Sequence, residues 1–136
     1  MPRDADVRVA ELRPGLVLHL CPAELEAQGS AYTCPRKTRV RGRRFFLCVF
    51  VGTVDSLWLP LYGSAKTRHR ILVHPEGRTG SEFWLRAELY WDVRQVWSAP
   101  LGAVPEAARA GGDNSTPLTR NRLEGEHLPA AWRRKT

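Results

Sequence analysis

The chain has no hydrophobic run long enough to cross a membrane as a helix. Its longest apolar stretch, Phe45 to Gly52, is strand-sized, whereas a spanning helix needs about 20 apolar residues. No apolar stretch comes before Leu16, and the chain opens Met1-Pro2-Arg3-Asp4. No signal peptide is therefore expected, and the expected location is cytoplasmic. Cysteine is scarce and odd in number, with only Cys21, Cys34 and Cys48. A secreted disulfide framework would be denser and even. Paired Cys-x-x-Cys knuckles are missing too. His19 and Cys21 share one face of an extended chain, and Cys34 lies across a loop, but neither a metal nor a cofactor is expected from so sparse a set. There is no internal repeat and no heptad pattern.

Hydrophobic residues make up 43% of the 136, which suits one domain with one core and a tail. The net charge is +7, and it is unevenly spread. Nine arginines and lysines lie between residues 36 and 70, namely Arg36, Lys37, Arg39, Arg41, Arg43, Arg44, Lys66, Arg68 and Arg70. The one acid in that interval is Asp55, so the segment carries +8 and the other residues sum to −1. Charge focused in this way draws a polyanion, whereas uniform basicity mainly affects solubility. The bland alternative is a solvated arginine loop, since arginine outnumbers lysine 18 to 3 in this chain.

The strand pattern is regular. Leu16 to Cys21 reads as a first core strand, entered by the Arg13-Pro14-Gly15 turn and stopped by Pro22. Ala23 to Gln28 fits one or two helical turns. Thr38 to Val51 reads as one long strand. Lys37, Arg39, Arg41 and Arg43 alternate, which in an extended chain puts them on one face. The run then becomes Phe45 to Val51, fit for burial. Gly52 to Ser56 is a hairpin turn and Leu57 to Tyr62 the next strand, with Pro60 marking an edge or a bulge. Arg70 to His74 is a short strand. Phe83 to Leu89 alternates like a strand, although Ser81-Glu82 would also suit a helix start. Asp92 to Trp97 is the last strand. Residues 99–136 are rich in Gly, Pro and Ala and read as linker and weakly ordered tail. The expected division is a domain over 1–98 and a tail over 99–136. Five or six short strands before that tail predict a mostly β fold, a small barrel.

The order of these parts resembles the PemK/MazF toxins of bacterial toxin–antitoxin pairs, which are SH3-like barrels that act as ribonucleases. Pro14 to Leu20 is similar to that family's opening strand. Gly42-Arg43-Arg44-Phe45 resembles its Gly-x-Arg-Pro entry to the second strand. Leu57 to Tyr62, followed by Gly63-Ser64, resembles its third strand, which ends at Thr or Ser. Arg70 to Gly77 and Phe83 to Trp97 resemble the remaining strands. Phe45 stands where the family has proline, and Leu16 stands where it usually has aspartate.

The resemblance implies a metal-independent endoribonuclease with Arg44 and Ser64 as its catalytic pair. Arginine suits such a role because its planar fork stays protonated and binds phosphate bidentately. Serine can donate a hydrogen bond to the scissile phosphate. Arg36, Lys37, Arg39, Arg41, Arg43, Lys66, Arg68, Arg70 and Tyr62 are the candidate nucleic-acid contacts, with single-stranded RNA the favoured ligand. Tyr62 and Trp84 would offer bases a stacking face if exposed. The resemblance also implies a protein partner such as an antitoxin, and a homodimer. The rival reading is a non-catalytic module that binds nucleic acid or protein, an accessory or inhibitory factor of a mobile element. A third is an adaptor whose groove takes a peptide.

Overall fold

The apolar run from Phe45 to Val51 is covered on both faces over Phe46 to Val49, while Phe50 is exposed. The structure, a computed structural model, describes residues 6–133, so the opening Met1-Pro2-Arg3-Asp4 and the last three positions lie outside it. Strand β1 (Leu16–Leu20) pairs antiparallel with β3 (Arg44–Val51), which forms a hairpin with β4 (Asp55–Tyr62). Leu16, Leu18, Leu20, Phe46, Cys48 and Trp58 enter one core cluster. Val17, Leu47, Val49, Leu59 and Leu61 enter another on the opposite face. The period of two in each strand sorts the side chains between the two layers.

The architecture is mostly β and the sheet is antiparallel. The main path runs β2 (Ala31–Tyr32), β8 (Trp97–Pro100), β4, β3, β1, β9 (Asn121–Leu123), β6 (Arg78–Thr79). Its two ends do not pair with each other among the described residues, so the sheet is open. Strand β7 (Tyr90–Asp92) pairs with the end of β4 and with β5 (Arg70–Leu72). Strand β4 thus changes neighbours, from β8 over residues 55–58 to β7 at residues 61–62. Pro60 sits in the gap between these partners, where pairing is interrupted and a residue without an N–H is tolerated.

Four expectations from the sequence are corrected. The basic stretch before β3 is not a strand. Arg36–Thr38 forms a single 3-10 turn, residues 39–43 are irregular, and regular pairing begins at Arg44. Phe83 to Leu89 is not a strand either. Helix α2 (Glu82–Arg86) is capped by Ser81, and its Trp84 is fully buried. The expected strand from Asp92 to Trp97 is two strands, β7 and β8, separated by a turn.

The fourth correction concerns the stretch expected to be a weakly ordered tail. Residues 103–111 form helix α3 (Ala103–Gly111), which packs against β1 and against α1 (Pro22–Ala27). Its small residues, which read as a linker, permit close approach to β1. A Cβ at Gly111 would fall 2.1 Å from the His19 carbonyl oxygen. The Cys21 amide donates to the Ala107 carbonyl, and the Asn114 side chain bonds both the amide and the carbonyl of His19. Strand β9 then pairs with β1 and β6. Leu123, Leu128 and Trp132 complete the second core layer, so this stretch is part of the folded body.

Candidate nucleic-acid interface

The site begins where β3 leaves the irregular basic stretch. Arg44, the first residue of β3, is half-buried, and its guanidinium lies over the Tyr62 ring with 5.2 Å to the centroid. Arg70, the first residue of β5, covers the same ring at 3.8 Å. Tyr62 is the last residue of β4, so three strand ends meet at one aromatic ring. Cation–π contact gives each guanidinium an apolar seat that leaves its N–H donors free to point elsewhere.

A cleft of about 660 Å³ opens beside this ring. Six cations line it, Lys37, Arg39, Arg41, Arg44, Arg70 and Arg94, against one carboxylate, Asp92. Asp92 is buried and largely engaged. The Arg94 guanidinium grips both its oxygens, at 3.1 and 2.9 Å, and the Arg70 Nε stands 4.0 Å away. The hydrogen bonds from Arg94 hold the Asp92 carboxyl below its ordinary value, against the upward push of burial.

Arg44 differs from Arg39, Arg70 and Arg94 in having no carboxylate, and from Arg41, which has none either, in being half-buried. Its contacts are long ones to carbonyl oxygens, 3.3 Å to Gly42 and 3.5 Å to Leu61. Burial lowers its pKa, and the charge of Arg70 adds to that effect. An arginine remains protonated through such a shift. The result is a partly desolvated cation, next to a second cation, short of acceptors. An anionic oxygen is the ligand that Arg44 lacks.

The structure brings Lys37, Arg39, Arg41, Arg44, Tyr62 and Arg70 to one cleft. It does not bring the other predicted residues into the lining. Arg36, Arg43, Lys66 and Arg68 are exposed elsewhere on the basic surface. Ser64 is half-buried and reaches the site through its backbone, where its carbonyl accepts from Arg70 Nη1 at 2.9 Å. Arg39 is less available than its neighbours, because its Nε donates to Glu26 at 2.8 Å and its Nη1 to the Arg36 carbonyl. Bases cannot stack on Trp84, which is 0% exposed. Tyr62 carries guanidinium groups over its ring, so what it presents to a ligand is its hydroxyl.

Sequence reasoning missed Asp92, Arg94 and Gln95. Asp92 ends β7, and Arg94 and Gln95 follow in the connection to β8, far along the chain from the basic run, where no local pattern marks them. Among the described residues, Glu124, Glu126 and His127 are the three side chains close enough together to hold a cation. They do not line the cleft. No protein-family model matches this chain, and neither the curated proteins nor the solved structures yield a match.

Proposed function

We propose that the cleft binds the phosphate backbone of single-stranded nucleic acid, with Arg44 and Arg70 as the central phosphate contacts and Lys37, Arg41 and Arg94 as the flanking ones. The observation that carries this reading is Arg44, a half-buried guanidinium on an aromatic seat with a second guanidinium beside it and no carboxylate partner. Chains of phosphates satisfy such a row of cations, and each neutralised phosphate releases counterions. RNA is the favoured strand. The reading includes the fold: a small SH3-like barrel of PemK/MazF type, supported by the β1–β3–β4 order and by the change of partner along β4, which sets β5 and β7 apart from the main path.

Metal-independent cleavage of the bound RNA is the second reading. The position of Arg44 favours it, since the family resemblance gives that position to the catalytic arginine. Binding is carried further than cleavage because the lining offers no free base for a 2′-hydroxyl. Asp92 is held by Arg94, and no histidine lines the cleft.

The test is a titration of labelled single-stranded RNA at several salt concentrations. Affinity should fall linearly on logarithmic axes, and Arg44→Ala should weaken binding and make the slope shallower by about 1. An affinity indifferent to salt, or unchanged in Arg44→Ala, would refute the reading. Total RNA incubated with and without chelator separates the two forms. Products that persist with chelator and vanish with Arg44→Ala identify a nuclease, and intact RNA identifies a binder.

A further inference from the structure

Gln95 is 3% exposed and lies behind Tyr62. Its side-chain oxygen accepts two hydrogen bonds, from the Val40 amide at 2.9 Å and from Trp97 Nε1 at 2.9 Å. Both partners can only donate, so the orientation of this amide follows from chemistry. The Gln95 nitrogen therefore faces Tyr62, and it lies 2.7 Å from the hydroxyl oxygen. An amide nitrogen cannot accept a hydrogen bond. The Tyr62 oxygen is thus the acceptor, and its own proton must point away from Gln95. Among the described residues no group accepts that proton.

The hydroxyl belongs to the ring that seats Arg44 and Arg70, and Tyr62 lines the same cleft. We infer that Tyr62 is the neutral third donor of the phosphate site, its proton aimed by Gln95 at the oxygen that the two arginines attract. This rests on the nucleic-acid reading and narrows it. A site whose nearest groups are all donors selects a ligand atom that is acceptor only. A non-bridging phosphate oxygen, negative and without a proton of its own, meets that demand better than a hydroxyl or an amine. Burial also raises the Tyr62 pKa, so the phenol keeps its proton throughout the neutral range. Gln95 acts through Tyr62 and is a positioning residue.

The experiment uses the full chain and a short fluorescein-labelled single-stranded RNA, titrated at several salt concentrations. Tyr62→Phe keeps the aromatic seat and removes the proton. It should weaken binding by roughly tenfold, as expected for a lost hydrogen bond to a charged group. The salt slope should stay that of the wild type, because a neutral hydroxyl releases no counterion. Gln95→Glu retains acceptors for Val40 and Trp97 and turns the phenol proton toward the new carboxylate. It should weaken binding in the wild type and cost much less in the Tyr62→Phe background.

Each alternative result has its own meaning. Wild-type protein that fails to bind RNA overturns the nucleic-acid reading and this inference with it. Wild-type binding with Tyr62→Phe unchanged overturns the inference alone. A Tyr62→Phe variant whose salt slope falls by about 1 also overturns it, since the ring would then serve only to place a cation. Equal losses for Gln95→Glu in both backgrounds overturn the positioning role.

Discussion

Two pairs of arginines in this protein, one buried and one half-buried, have opposite surroundings. Arg78 and Arg120 are saturated by their own chain. Arg78 donates to the carbonyls of Val73, His74, Trp84 and Ala87, closing the α2 loop onto the end of β5. Arg120 bonds the Glu11 carboxylate and the carbonyls of Asp6, Asn114 and Ser115, tying the N-terminal segment to β9. Arg78 also lies over a ring, that of Trp84, but Arg44 and Arg70 share the Tyr62 ring at an open cleft, and Arg44 makes only long contacts to carbonyls. A guanidinium whose donors are all spent inside the chain holds the fold. One that faces a cleft with donors left over is suited to hold something else.

The largest expected effect comes from the saturated pair. Arg120→Ala should lower stability by about 3–5 kcal/mol, because it strands the Glu11 carboxylate and several carbonyls. Urea denaturation measures this. A loss below about 1 kcal/mol would erase the distinction between the two pairs.

Asp92 supplies a middle-sized effect, since it is the one carboxylate inside the cleft. Its pKa is depressed below the ordinary value of 3.8, first by the hydrogen bond from Arg94. A depressed acid stabilises the folded state above its unfolded pKa, and that contribution disappears as pH falls through the folded pKa. Stability should therefore be flat near neutrality and decline in acid below pH 3.8. Asp92→Asn should lose about 1 kcal/mol at neutral pH and flatten that acid decline. It should also bind RNA several-fold more tightly, because the cleft gains one net positive charge. Denaturation at a series of pH values, with one binding titration, checks both signs.

The smallest effect belongs to Arg39. Glu26 already neutralises it at 2.8 Å. Arg39→Ala should therefore change RNA affinity less than Arg44→Ala does, by about twofold. An equal loss from both would mean that a carboxylate partner does not predict which arginine meets the ligand.

Much of this distinction was not legible from the residues alone. The framework was, because β1, β3 and β4 are apolar runs bounded by Gly and Pro turns, and the centre of the Phe45 to Val51 run is buried as its composition requires, Phe50 alone being exposed. The focused positive charge was legible too, and it contains Arg44 and Arg70. The irregular path of residues 39–43 was hidden, since alternating arginines look extended whether or not a neighbouring strand pairs with them. Helix α3 was hidden for a different reason. Its alanines and glycines are small because the helix lies close to the backbone of β1 at Gly111, and small residues resemble a linker. Helix α2 has five residues, too few for its period to outweigh the alternation of Phe83, Leu85, Ala87 and Leu89. The Gln95–Tyr62 contact spans 33 residues. Such a pairing is set by how β4 and β7 meet, which local sequence does not encode.

The most direct measurement is a thermal melt of wild type and Arg44→Ala, each with and without single-stranded RNA. Without RNA the two should melt within a few degrees of each other, since Arg44 contributes little to the fold. With RNA the wild type should melt higher, because a ligand that binds only the folded state stabilises it, and Arg44→Ala should shift far less. A variant that melts much lower on its own, with an RNA shift equal to that of the wild type, would contradict the account. Arg44 would then belong with Arg78 and Arg120 as a residue that holds the fold.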